Sequence, residues 1–573
     1  MPALLNQKTI YLGRPDPRST FGTNVPDAGG DKTLVDVLLI QPPIRDFYLT
    51  AKRTLPYGLT RIAAVLLQEG FSVDICDGLA ASKARIIDLP EEMAYVREYY
   101  RQPDRSPFGL FYHYRHFGYS FEHIGQVARA SGAFLVGVSA LFTPYFREAL
   151  QVAEAVKKFH PACKIVLGGH HPTALPMSAM EHPAIDFVLR GEGEVSMALL
   201  ARAVKNGHGF EAIPGIVFRK EDGSIHVGSP ACMADPDRLP LPAAHLVKQQ
   251  FYRRKNKGSA VIVTSRGCPL KCTYCSVGEA SYLPYRRRKT PSVMQEIETA
   301  VARYDVGFID FEDENLALDK KWFLDLLQQL QSCFKGSNLE LRAMNGLLPS
   351  SLDQEIVRAM QGAGFKSLNL SLGSASRAQI ERFNRPDVRE SFDHALDLAE
   401  TYGLTAVGYV IVGAPGQSAE ESLNDLLFLA ARRVLGGISV FYPAPGSRDF
   451  DLCRTLNILP GTFSLMRSSA LPLSHTTTRK QVVTLLRLGR ILNFMKLLKD
   501  MDAGAGGIGQ RRVDTRNSEV RIEIGKNLLK MFLDDGKIRG ITLDNDIFEH
   551  NISIELSRRF IRELQNVKIR GTY

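Results

Sequence analysis

The chain has 573 residues, a formal net charge of +10, a pI near 9.1 and 45% hydrophobic residues. That length calls for more than one domain, and the ordinary apolar content excludes a disordered chain. No apolar run reaches about 18 residues, which excludes a transmembrane helix, and eight scattered cysteines do not form a disulfide framework. The basic balance permits an acidic partner or membrane surface without requiring one.

Residues 1–32 mix Gly, Pro, Asp and Thr and are expected to form a flexible tail with no apolar signal core. Leu34–Ile40 reads as a buried strand ended by Gln41-Pro42-Pro43. Leu59, Ile62, Ala63, Leu66 and Leu67 then fall on one helical face, closed by Gly70, and Phe71–Cys76 is a second strand. Residues 80–122 break the alternation with many Tyr, Phe, His and Arg residues. They suit an aromatic-packed helical insertion, or a wall over a large flat ligand.

Strands and helices resume with Phe134–Ser139, Phe146–His160, Lys164–Leu167 and Asp186–Leu189. This βα alternation predicts a doubly wound parallel sheet over 33–209, with ligands outside the carboxyl ends of its strands. Ser139, Gly168, Gly169, Gly191 and Gly193 lie at those ends and are candidate cofactor contacts. No G-x-G-x-x-G fingerprint appears, which disfavours a nicotinamide dinucleotide. The series QPP, PYGL, DICDG, VSALFTP, GGHHPT and RGEGE resembles the cobalamin-binding domain that precedes the cluster domain in many radical enzymes. The resemblance implies cobalamin. The D-x-H-x-x-G motif that supplies the lower axial histidine in methionine-synthase-type domains is absent, since Asp77-Gly78-Leu79 carries no histidine. A sheet of this fold without cobalamin remains the alternative.

Residues 210–258 read as a connector, with a β-hairpin around Asp222-Gly223 and a Pro-rich crossing from Pro236 to Pro242. The strand Val261–Val263 then runs into Cys268, Cys272 and Cys275, spaced C-x3-C-x2-C. Three thiolates on one short loop suit an iron–sulfur cluster with one iron left open. A structural zinc site is the competing reading, although no second cysteine knuckle is present. SRGCPLKCTYCSV resembles the cluster loop of the radical S-adenosylmethionine superfamily, over roughly 259–455. In that family the open iron of a [4Fe-4S] cluster binds the amino and carboxylate groups of S-adenosylmethionine. Reductive cleavage there yields a 5′-deoxyadenosyl radical. The resemblance implies cluster ligation by Cys268, Cys272 and Cys275, with Tyr274 beside the cofactors.

After the loop, Tyr285–Lys289 is strongly basic and reads by default as solvated surface. Further βα units follow, and their strand ends carry Glu312 and Asp313, Gly373-Ser374 and Gly413. These predict a partial (β/α)6 barrel. By resemblance, Glu312 and Asp313 face the S-adenosylmethionine amino group, Ser374 its ribose or carboxylate, and Gly413 its adenine. Many relatives carry Glu-Ser where this chain has Gly373-Ser374. Residues 456–573 are expected to form a mostly helical extension, with an amphipathic helix over Gln481–Leu498 and a glycine-rich break at 504–509.

The expected fold class is therefore α/β: a cobalamin-binding-like doubly wound sheet, a partial (β/α)6 barrel and a helical C-terminal extension. The expected function is a cobalamin-dependent radical enzyme that methylates an unactivated carbon or phosphorus of a small molecule or peptide. The rivals are radical oxidation, cyclisation or rearrangement without methyl transfer, and a non-enzymatic sensor. No catalytic base is assigned. An electron donor such as flavodoxin or ferredoxin is expected, with a cytoplasmic location and no nucleic-acid partner.

Overall fold

The computed structural model describes residues 34–48, 55–82, 84–277, 283–503 and 515–572; the tail at 1–32 and the glycine-rich break at 504–509 lie outside them. The N-terminal sheet contains β1 (Val37–Gln41), β2 (Val73–Asp77), β3 (Leu135–Ser139), β4 (Lys164–Gly168) and β5 (Phe187–Leu189). All five are parallel, in the order β2-β1-β3-β4-β5. Helices α1 (Tyr57–Gln68) and Gly193–Asn206 cover one face, and α2 (Phe146–Phe159) covers the other. With both faces covered, the first four residues of β1 are all apolar and at most 1% exposed. The hairpin of β6 (Ile216–Arg219) and β7 (Ile225–Val227) adds to this sheet, β6 pairing antiparallel with β5.

Six parallel strands follow: β8 (Lys257–Ile262), β9 (Val306–Phe311), β10 (Glu340–Ala343), β11 (Ser367–Gly373), β12 (Thr405–Val412) and β13 (Leu435–Val440). They form two three-strand runs, β8-β9-β10 and β11-β12-β13, joined through single bridges such as Leu341 to Phe365. This is the expected six-strand partial barrel.

The aromatic segment is not the helical insertion that its composition suggested. Strands Ile44–Asp46, Arg115–Phe117 and Ala84–Ile86 form a small antiparallel sheet, and Glu91–Glu98 between them is a 3-10 helix. Its rings join the core shared with the barrel and the C-terminal helices, including Tyr99, Tyr100, Phe108 and Tyr114. Phe108 meets Phe494 edge-on at 5.6 Å, a geometry that adds about 0.5–1.5 kcal/mol beyond area burial.

The C-terminal extension has α3 (Arg479–Asp502), α4 (Thr515–Asp535) and α5 (Ile554–Leu564), plus a two-stranded hairpin. Helix α3 corrects the amphipathic reading. Val482, Val483, Thr484, Leu485, Arg487 and Leu488 are all buried, so apolar partners surround it on nearly every side. Among the described residues no helix is long and apolar enough to cross a membrane.

Candidate active site

The cluster loop leaves β8 and is fixed from below. The Asp313 carboxylate, 2% exposed, accepts from the Thr264 amide (3.1 Å), the Thr264 hydroxyl (2.7 Å) and the Ser265 hydroxyl (2.5 Å). Gly267 turns the loop at φ +77, where a Cβ would sit 2.7 Å from the Pro284 carbonyl. The Cys275 amide donates to the Cys272 carbonyl at 3.1 Å, and the Thr273 amide donates to Phe383 at 2.9 Å. All eight cysteines lie outside disulfides.

The thiols fit the group that the loop implies. Burial pushes the Cys268 thiol upward, and neighbouring Cys272 and Glu314 add to the shift, so the sulfurs sense one another. Among the described residues, no three Cys, His, Asp or Glu groups gather closely enough to hold a single ion. Cys272 also receives the Arg385 guanidinium, Nη1 to Sγ 3.7 Å, as cluster sulfurs commonly receive donors.

The other barrel candidates divide. Burial raises Glu314 to about 7, with Asp313 and Glu312 adding to the shift; this carboxyl belongs to the polar strand end Glu312–Asn315 but was not among the residues assigned a contact. Asp313 holds the loop from beneath, and Asn345 Nδ2 donates to the Glu312 carbonyl at 2.9 Å. The Ser374 hydroxyl, fully buried, donates to Asp425 at 2.9 Å, and burial raises Asp425 to about 7. Tyr274 packs edge-on against Phe383 at 4.8 Å and accepts from Arg385 Nη1 at 3.0 Å. Gly413 holds φ +76 beneath Val482 of α3.

The sheet presents its carboxyl edge to this loop. Ser139 and Gly168 are direct cross-strand partners at the ends of β3 and β4. Gly169, at φ +118, lies so close to Ala140 that a Cβ would be 2.9 Å from its carbonyl carbon. The strand order reverses between β1 and β3, and doubly wound sheets hold ligands at such a point. Leu141 and Phe142, just past β3, are 49% and 53% exposed, an apolar lip beside the turn glycines. This arrangement suits a large ligand with an apolar face. Burial raises the Tyr442 phenol, and Tyr48 of the N-terminal half and Cys275 of the cluster loop add to the shift.

Direct bonds join the halves. His170 Nε2 lies 2.7 Å from the Ser276 hydroxyl, beside the last cysteine. The turn at Gly191 and Gly193 works through its acids: Glu192 pairs with Arg266 at 3.0 Å and with Arg286 at 2.8 Å, and Glu194 also pairs with Arg266. Arg288 pairs with Glu296 at 2.6 Å, and both are nearly buried. Within the basic run at 285–289, Arg286 is therefore an interface residue and Arg288 is buried, while Lys289 is the exposed residue that the solvated reading expects. The carboxylate partners of Arg286 and Arg287, Glu192 and Asp319, are distant in sequence, which hid them.

Comparison with known proteins agrees with this geometry. The family model described as the B12 binding domain matches residues 111–201, and the Radical SAM superfamily model matches 262–429. An uncharacterized methyltransferase of Pyrococcus horikoshii is 26% identical, over 69% of this chain and 86% of its own length. The anaerobic magnesium-protoporphyrin IX monomethyl ester cyclase of Rubrivivax gelatinosus is 30% identical, over 50% and 52%. Among solved structures, the radical S-adenosylmethionine methyltransferase TsrM of Kitasatospora setae aligns with a TM-score of 0.56 at 18% identity, covering 74% of this chain and 75% of that one, a likeness of fold. The chain is an enzyme that carries a Radical SAM superfamily domain with a B12 binding domain ahead of it.

Proposed function

We propose that this enzyme methylates an unactivated carbon or phosphorus of a small molecule or peptide. The observation that carries the reading is the direct apposition of the sheet's carboxyl edge to the cluster loop through His170–Ser276 and Glu192–Arg266. The Pyrococcus relative, matched over 86% of its length, is named a methyltransferase. When bound, the cluster with S-adenosylmethionine supplies hydrogen abstraction and methylcobalamin supplies the methyl group.

The chain's own residues position and enclose. Cys268, Cys272 and Cys275 would hold the cluster, and Asp313 fixes the loop that carries them. Ser139, Gly168 and Gly169 would leave the backbone open to cobalamin, with Leu141 and Phe142 at its rim. Glu314 can carry or release a proton near neutrality at the barrel mouth. One-electron delivery is assigned to a flavodoxin- or ferredoxin-class donor, in the cytoplasm.

A second reading, radical cyclisation without methyl transfer, is favoured by the Rubrivivax cyclase at 30% identity. Anaerobic reconstitution with both cofactors and titanium citrate, followed by mass spectrometry, separates the two. Methyl transfer produces 5′-deoxyadenosine together with S-adenosylhomocysteine, and a substrate heavier by one methylene. A substrate that loses hydrogen, with no S-adenosylhomocysteine, would overturn the proposal in favour of the cyclase reading.

A further inference from the structure

Arg385 occupies an unusual place beside the cluster loop. Its Nη1 donates to the Tyr274 hydroxyl at 3.0 Å and reaches Cys272 Sγ at 3.7 Å. Its Nη2 donates to the Ser371 carbonyl and, at 2.9 Å, to the Ser371 hydroxyl. Among the described residues no carboxylate pairs with it, and its buried Nε–H has no partner. The guanidinium is thus a cation without an acidic neighbour, and its one soft partner is a cluster cysteine. Gly373 makes the room. A Cβ there would lie 3.1 Å from Arg385 Cδ and 3.2 Å from Nε, tighter than nearly all such contacts, and φ is +82.

We propose that Arg385 is a positioning residue that sets the reduction potential of the cluster through Cys272. The inference rests on the reading that the three cysteines hold that cluster. Reduction adds one electron, from the donor, and no proton, so the reduced cluster carries one more negative charge. A fixed cation and a hydrogen bond on a ligating sulfur stabilise that charge and raise the potential. Arg suits the task because its planar fork holds Ser371, Tyr274 and Cys272 together, and a lysine ammonium cannot span all three.

The test is a redox titration of the reconstituted enzyme without S-adenosylmethionine, monitored by electron paramagnetic resonance and normalised to iron and sulfide content. Relative to wild type, R385Q should lower the reduced-to-oxidised ratio at a fixed potential about tenfold, equivalent to about 59 mV for one electron. R385K, which keeps the charge and loses the fork, should fall between the two. A loaded R385Q with an unchanged potential overturns the proposal. If R385Q takes up no cluster, R385K decides, and an unchanged potential there overturns it equally. Wild-type protein that binds no iron and sulfide would instead sink the underlying cluster reading.

Discussion

The Cys272→Ala variant is expected to take up almost no iron or sulfide and to form no 5′-deoxyadenosine above background. Cys272 is the most enclosed of the three thiols, 8% exposed, at the centre of C-x3-C-x2-C. Its loop is preset by contacts that do not involve its sulfur: Asp313 beneath Thr264 and Ser265, the Gly267 turn, and Thr273 on Phe383. The substitution therefore removes a ligand and leaves the fold intact. Losing a group that merely supports a ligand costs about 10–100-fold in metal affinity, so losing a ligand should cost more. Iron and acid-labile sulfide analysis, with circular dichroism as a control, checks the first statement, and nucleoside mass spectrometry checks the second. A folded variant that still makes 5′-deoxyadenosine would contradict the ligand assignment.

Arg467→Met should destabilise the protein by about 3–5 kcal/mol, the range for stranding one member of a buried ion pair. Arg467 and Asp46 are 5% and 4% exposed and lie 3.1 Å apart. The guanidinium also donates to the carbonyls of Arg45 (2.6 Å), Pro144 (2.8 Å) and Ser464 (2.7 Å). Asp46 further accepts from Tyr145 at 2.6 Å and Ser469 at 3.0 Å. One arginine of the C-terminal extension thereby ties down the small antiparallel sheet and the segment just after β3, where the strand order reverses. Urea unfolding measures the loss. The double variant D46N/R467M should lose less than the two single variants added together, because the stranded carboxylate is gone. A loss below about 1 kcal/mol in R467M would show that the network is not a clamp.

The parts legible in the sequence were those written locally. Three cysteines within eight residues and the βα alternation are short-range patterns, and the alternation led to the observed architecture. The order of the turns also located Ser139 and Gly168 at the carboxyl ends of their strands. What escaped depends on partners far along the chain. The basic run at 285–289 reads as surface until Glu192 and Asp319 are seen to meet it. Ser374 reads as an available hydroxyl until Asp425, 51 residues later, accepts its hydrogen bond. Helix α3 carries Arg487 and Lys496, two basic residues that the amphipathic reading does not place in the core. Both are buried, bonded to backbone carbonyls of other segments that sequence periodicity does not register. The aromatic segment lacks helical periodicity, and its rings fill the seam between barrel and extension.

Gly373 shows the same limit at the site itself. Its departure from the Glu-Ser of many relatives is visible in the sequence as a missing carboxylate. Its consequence, space for Arg385 beside Cys272, is visible only in three dimensions.

The electron paramagnetic resonance spectrum of the reduced wild-type enzyme, recorded before and after S-adenosylmethionine is added, reports on the open iron itself. Cysteine ligation at three irons predicts a [4Fe-4S]+ signal whose g-values shift when the amino and carboxylate groups bind the fourth. An unchanged spectrum at saturating S-adenosylmethionine, or protein that carries only zinc, would contradict it.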